Sequence, residues 1–169
     1  MDHNYECRQD NVFLRPLQHS DIEYLRIWRN NPDNTKYLNQ IPYITKEMQE
    51  KWFAKYLRDM NEITFAIIEE SALHRIVGSL SLCNIEADSV EIGKIMVGDP
   101  QAHGMKVGAN ATAAAAKIAR DQLRKSIIYL HVFEQNIPGV KSYLNAGFIE
   151  SGKHVDEKGR TELTMHFSR

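Results

Sequence analysis

From Ile95 to Arg120 the chain reads IMVGDPQAHGMKVGANATAAAAKIAR, and the alanines at its end restrict the fold more than any other stretch. Ala111, Ala113 to Ala116 and Ala119 favour helix and carry almost no side-chain bulk, so this helix is expected to lie close against a sheet. Ahead of it, the apolar run ending at Val97 reads as the end of a strand, and HGMKVGAN as a glycine-bearing turn that runs into the first helical turn. Glycine lets a backbone approach a ligand closely, and the first amides of a helix carry partial positive charge. The junction is therefore a candidate anion site. An ordinary strand-to-helix turn has the same spacing, and a lone Gly-x-x-x-Gly favours that plainer reading.

The rest of the chain supplies the sheet this helix needs. Val12 to Arg15 is β-prone and closed by Pro16; Ser20 offers an N-cap to a helix carrying Ile22, Leu25, Ile27 and Trp28, which the breakers Asn30, Asn31 and Pro32 stop. A polar loop follows, NPDNTKYLNQIPYI, then a second helix from Thr45 with Met48, Trp52, Phe53, Tyr56 and Leu57 on one face. Such a long loop is a candidate binding element. Thr64 to Ile68, Arg75 to Cys83 and Val90 to Val97 read as successive antiparallel strands. After the alanine helix come a strand at Ile127 to Val132, a short helix from Asn136 and Pro138 through Tyr143, and a hairpin of Phe148 to His154 with Thr161 to Phe167 around DEKG. The order predicts an α/β (α+β) chain, a single domain over 1–169 with one core, a mixed and mostly antiparallel sheet, and helices on both faces.

Composition excludes several classes of function. The formal net charge is −1 with both signs interleaved, so there is no basic footprint for nucleic acid. No apolar run reaches membrane-spanning length and MDHNYECRQD has no signal core, which makes a cytoplasmic protein the expectation. Cys7 and Cys83 lack metal or disulfide spacing, and the seven histidines are scattered; no metal is expected.

Three segments together resemble the GCN5-related N-acetyltransferases: LRPL with SDIEYLRIWRNNPD at the start, EIGKIMVGDPQAHGMKVG in the middle, and NIPGVKSYLNAGF near the end. The last is the most specific, matching the family's Asn-x-x-Ala-x-x-x-Tyr-x-x-x-Gly-Phe pattern at Asn136, Tyr143, Gly147 and Phe148. The branch resembled contains ribosomal-protein alanine, spermidine and nucleotide-linked amino-sugar acetyltransferases. The resemblance implies the GNAT-like sheet, acetyl-CoA as co-substrate, and direct transfer of its acetyl group to a primary amine. It also implies that the backbone of Ile95, Met96 and Val97 holds the pantetheine and acetyl oxygen, and that His103, Gly104, Met105, Lys106, Val107, Gly108 and Ala109 form the pyrophosphate loop, with Asn136 beside them. Lys106 stands where the family has its first signature glycine, and His103 where it has Arg or Gln. Whether the lysine crowds the cofactor or pairs with a phosphate is left open by the sequence.

By the same resemblance Tyr143 is the general acid, a phenol able to donate to a forming thiolate. Glu91 is the candidate base, acting on the amine through water; His103 and His131 are weaker candidates. Trp28, Arg29, Asn30 and the loop from Pro32 to Ile44 combine aromatic surface, cation and amide groups, which points to a nucleotide-linked amino sugar as acceptor. A protein N-terminus or a polyamine is the alternative acceptor, and Lys36 against Asp33 shows no acidic bias for the latter. A non-catalytic acyl-CoA sensor is the alternative of another class. The expected partner is a small-molecule amine, with neither nucleic acid nor membrane; a homodimer is left open.

Overall fold

The computed structural model describes residues 3–36 and 42–168. Its strands are β1 (Cys7–Gln9), β2 (Val12–Pro16), β3 (Glu62–Glu69), β4 (Arg75–Cys83), β5 (Ser89–Val97), β6 (Ile127–Phe133), β7 (Phe148–Val155) and β8 (Thr161–Phe167). Its helices are α1 (Ile22–Asn30), α2 (Pro32–Thr35), α3 (Lys46–Tyr56), α4 (Val107–Lys117) and α5 (Ile137–Asn145). The strands form one sheet in the order β1-β2-β3-β4-β5-β6-β8-β7. Every neighbouring pair is antiparallel except β5 and β6, which run parallel because α4 crosses between them.

Alternation along the strands divides the apolar residues between the two faces. On one face Ile63, Phe65, Val77, Leu80, Val90 and Ile92 meet the α4 alanines, of which Ala111, Ala114, Ala115 and Ala116 are fully buried. On the other, Ala66 and Ile76 meet Leu25 and Trp28 of α1 and Phe53 and Tyr56 of α3. Where one core is expected from length, the sheet thus separates two clusters.

Two elements differ from the sequence reading. The three-residue β1 precedes the first expected strand and pairs Cys7 with Leu14 and Gln9 with Val12; it is too short to show an alternation. The breakers after α1 end it as expected, but Asn31 then caps a new turn of helix, its side chain accepting from Asp33 N–H at 3.0 Å with Pro32 at the first position. Residues 37–41 of the loop read as a binding element lie outside the described residues. The start of α1 is also one step later than Ser20 implies: a 3₁₀ turn, His19–Asp21, comes first. Buried Asp21 sets it, accepting the Gln18 N–H at 2.8 Å and N–H groups of the two terminal Arg15 guanidinium nitrogens at 2.6 and 2.9 Å.

Candidate active site

The pairing of β5 with β6 stops at Glu91 and Tyr129, although β5 runs on to Val97 and β6 to Phe133. The two parallel strands therefore part, and beyond Glu91 the β6-side edge of β5 has no strand partner among the described residues. On its other edge β5 stays on β4 through a bulge. Ser79 opposes Met96 and Ser81 opposes Gly93, so β5 carries one extra residue, and Lys94 takes a left-handed φ of 53°. Gly78 makes this possible, since a Cβ there would lie 2.2 Å from the Met96 carbonyl oxygen.

A cleft of about 590 Å³ fills the opening. Ile95, Met96 and Val97 line it from β5; His103, Gly104 and Lys106 from the loop; Val107, Gly108 and Ala109 from the start of α4; Asn136 and Tyr143 from α5. These are the residues expected around the cofactor, brought together from four segments. Met105 points elsewhere: its side chain packs on the main core, and its carbonyl accepts the Asn11 side-chain amide at 3.2 Å. Asp33, Asn34 and Lys36, in and just after α2, belong to the loop expected to bind the acceptor and reach this same cleft. Asn34 is fastened there by bonds to the Trp28 and Gly98 carbonyls at 3.2 and 3.3 Å.

The loop retains glycine geometry at the position where the sequence departs from the family pattern. Lys106, the N-cap of α4, has φ 59° and ψ 16°. This left-handed conformation costs a non-glycine residue about 1–2 kcal/mol. The first intrahelical bond runs from Asn110 N–H to the Lys106 carbonyl at 3.0 Å, so the amides of Val107, Gly108 and Ala109 precede it and lack helical acceptors. Those amides, the helix dipole and the exposed Lys106 ammonium form an environment suited to a diphosphate. With the unpaired β5 edge for an amide-rich tether, the cleft fits coenzyme A. His103 Nε2 lies 3.3 Å from the Val97 carbonyl, so its ring closes the end of that edge.

Asn136 caps α5, its side-chain oxygen accepting Gly139 N–H at 3.1 Å, and so places the helix that carries Tyr143. Tyr143 is half-buried against the main core, and among the described residues no protein group hydrogen-bonds its hydroxyl. Burial pushes its pKa up to about 12.

Glu91 lies on the opposite side of β5. Val90 and Ile92 point into the α4-side core, so Glu91 and Gly93 face the α1 and α3 side. There a second cavity of about 320 Å³ is lined by Asp59, Asn61, Glu62, Cys83, Asn84, Glu91, Gly93 and Lys94. Asn84 donates to Glu91 Oε2 at 2.6 Å, Lys94 pairs with Glu62 Oε2 at 2.5 Å, and Ser81 Oγ donates to Glu62 Oε1 at 2.9 Å. Burial pushes the Cys83 thiol up to about 12, with Glu91 adding to it, so this cysteine is no nucleophile at neutral pH. The lysine at the bulge thus separates two cavities, one beside Ile95 and the other beside Gly93.

Trp28, Arg29 and Asn30 line neither cavity. The Trp28 ring is 8% exposed and packs on Gly98, where a Cβ would come within 2.2 Å of it. Both ends of the Asn30 amide are bonded to the backbone of Ile44 at 2.8 Å, and Arg29 is half-buried in the last turn of α1. His131 is exposed, with its Nδ1 3.2 Å from Thr164 Oγ1. Among the described residues no group of three or more His, Cys, Asp or Glu is placed to hold a metal ion, and no helix is long and apolar enough to cross a membrane.

Comparison with known proteins adds three findings. The family described as "Acetyltransferase (GNAT) domain" matches residues 11–149. The spermidine N(1)-acetyltransferase of Vibrio cholerae serotype O1 is 27% identical over 146 residues, 85% of this chain and 82% of that protein. An uncharacterized protein of Methanocaldococcus jannaschii is 26% identical over 168 residues, 95% of this chain but 34% of that protein, so the chain spans about a third of its length. Among solved structures, the V. cholerae spermidine N-acetyltransferase in complex with CoA and spermine superposes with a TM-score of 0.82 at 24% identity, covering 94% of this chain and 95% of that one.

Proposed function

The chain belongs to the acetyltransferase (GNAT) family, as an acetyl-CoA-dependent N-acetyltransferase acting on an amine, and we propose that its acceptor is a small polycation of the polyamine type. One observation carries this reading: Asp59, Glu62 and Glu91 line one cavity, which reaches along β5 as far as Lys94, the residue before Ile95 of the cofactor cleft. A cavity rimmed by carboxylates raises the local concentration of cations, and the pairing of the Lys94 ammonium with Glu62 supports a primary ammonium as its occupant. The likeness to a spermidine N(1)-acetyltransferase supports the same class. The acceptor so proposed is the alternative to the nucleotide-linked amino sugar expected from Trp28, Arg29 and Asn30, two of which are engaged in packing and loop anchoring.

Acetyl-CoA supplies an activated thioester. The free β5 edge at Ile95 to Val97 orients it, and the α4 amides with Lys106 hold its phosphates. Glu91, steadied by Asn84, takes a proton from the acceptor ammonium through water so that the nitrogen lone pair is available. As the C–N bond forms and the C–S bond breaks, Tyr143 gives its hydroxyl proton to the departing sulfur from the cleft side, and the second proton shed by the new amide nitrogen passes to solvent water, from which the phenolate is reprotonated. Acid and base thus serve from opposite sides of one strand.

The test is a competition of acceptors: spermidine, spermine, an N-terminal alanine peptide and an amino-sugar nucleotide, assayed by thiol release. Spermidine or spermine should have the highest kcat/KM. Asp59→Asn with Glu62→Gln should raise their KM by about tenfold, the scale of a lost charge-assisted contact. Preferred turnover of the amino-sugar nucleotide, unaffected by those substitutions, would overturn the acceptor assignment and leave the acetyltransferase chemistry in place.

A further inference from the structure

We infer that Asn11, seated on the buried carboxylate of Glu69, is a positioning residue for the cofactor cleft, holding the turn ahead of α4 so that the first amides of the helix face the phosphates. This rests on the cofactor reading of the cleft given above, but concerns residues that line no part of it.

Glu69 ends β3 and is fully buried, an unusual place for a carboxylate. Its Oε2 accepts the N–H groups of Ala72 at 2.9 Å and Leu73 at 2.7 Å. Its Oε1 accepts Ser71 N–H at 2.9 Å, the Ser71 hydroxyl, and the Asn11 side-chain amide at 3.1 Å. Burial alone pushes the pKa of this carboxyl up, but the bonds from Ser71, Leu73 and Ala72 outweigh it and hold the pKa at about 2. The group is thus a fixed anion at every working pH. The turn between β3 and β4 is wrapped around it, and one of its contacts leaves that turn for Asn11.

Asn11 sits at the tip of the β1–β2 hairpin, where its own carbonyl accepts Glu70 N–H at 2.9 Å. Its side-chain nitrogen has two hydrogens and two acceptors: Glu69 Oε1 and, at 3.2 Å, the carbonyl of Met105. Its side-chain oxygen accepts the Asn110 amide at 2.7 Å. Met105 immediately precedes the left-handed Lys106, and Asn110 lies in the first turn after it. One side chain therefore grips the strained residue from both sides, and the anion beneath orients the gripping amide. This explains how a lysine is kept in a glycine conformation: the αL cost is offset by bonds made outside the helix.

The experiment measures the Kd for coenzyme A by calorimetry without any acceptor, together with kcat, both KM values and the melting temperature. Asn11→Ala should raise the Kd for coenzyme A and the KM for acetyl-CoA about ten- to thirtyfold, while kcat at saturation and the KM for the amine stay within about twofold. Asn11→Asp, the same size but without the two donors and facing Glu69, should be at least as impaired. Asn110→Ala, which removes a single bond, should raise the Kd about threefold. A folded Asn11→Ala that binds coenzyme A as the native chain does would overturn the inference, as would equal losses in kcat and amine affinity. Should Asn11→Ala not fold, Asn110→Ala decides: an unaltered Kd there counts against the positioning role. If the native chain itself bound no coenzyme A, the cofactor reading would fall first.

Discussion

At the scale of single residues, Tyr143 and Lys106 carry the chemistry that can be tested most directly. The Tyr143 hydroxyl has no protein partner among the described residues and lines the cleft, as a proton donor to a leaving group requires. Tyr143→Phe should lower kcat ten- to a thousandfold, roughly the span of general acid catalysis, with the Kd for acetyl-CoA unchanged. Because burial raises its pKa to about 12, the phenol keeps its proton through the neutral and mildly alkaline range. An alkaline fall in kcat due to this residue should therefore begin only above about pH 11, and a fall centred near pH 9 that vanishes in Tyr143→Phe would contradict the assignment. Lys106 is exposed and lines the same cleft with a glycine backbone. Lys106→Gly removes the left-handed penalty but adds freedom to the unfolded chain, so stability should change by no more than about 1 kcal/mol. The lost ammonium should raise the Kd for coenzyme A about three- to tenfold, the worth of an exposed contact to phosphate. Tighter binding in Lys106→Gly, read by the same calorimetry, would mean that the lysine crowds the cofactor instead.

At the scale of elements, the site depends on β5 being held differently along its length: paired on both edges as far as Glu91, then on the β4 edge alone. Two glycines allow that departure. Gly78 lets the Met96 carbonyl ride over β4 at the bulge, and Gly98 lets the strand turn under the Trp28 ring. Gly98→Ala would force a methyl group into a space where the ring already lies 2.2 Å away. The buried indole has nowhere to retreat, so the substitution should destabilise by about 1–3 kcal/mol, the usual penalty of overpacking. Thermal unfolding read by tryptophan fluorescence checks this, and an unchanged midpoint would show that α1 can shift freely. Such a shift would move Asn34 as well, since it bonds to both the Trp28 and Gly98 carbonyls. The packing of α1 is in this way linked to one rim of the cofactor cleft.

At the scale of the whole molecule, what was legible in the sequence is what local chemistry decides. The alternating strands, the alanine helix, the Asn136 cap and the Gly turn each act within a few residues, and together they brought Ile95 to Val97, most of His103 to Ala109, Asn136 and Tyr143 to one cleft. Alanine and glycine allow close approach wherever they occur, so the stretch from Ile95 to Arg120 determined both the helix on the sheet and the candidate anion site at its start. The cavity proposed for the acceptor was illegible for the opposite reason. Asp59 and Glu62 flank the start of β3, Asn84 follows β4, and Glu91 lies on β5, so no window of sequence is acidic, and only the register of antiparallel pairing places them side by side. The same holds for Asn11, 58 residues from Glu69 and 94 from Met105. Trp28 and Asn30 carry binding chemistry in sequence and tertiary roles in the fold, because a side chain's type says what it can bond but its burial decides what remains to bond with. The sequence by itself determined most of the strand and helix order and the glycine turn ahead of α4; the tertiary structure alone decided where charge collects and which side chain bonds to that turn, since both arise from partners that meet only when the sheet closes.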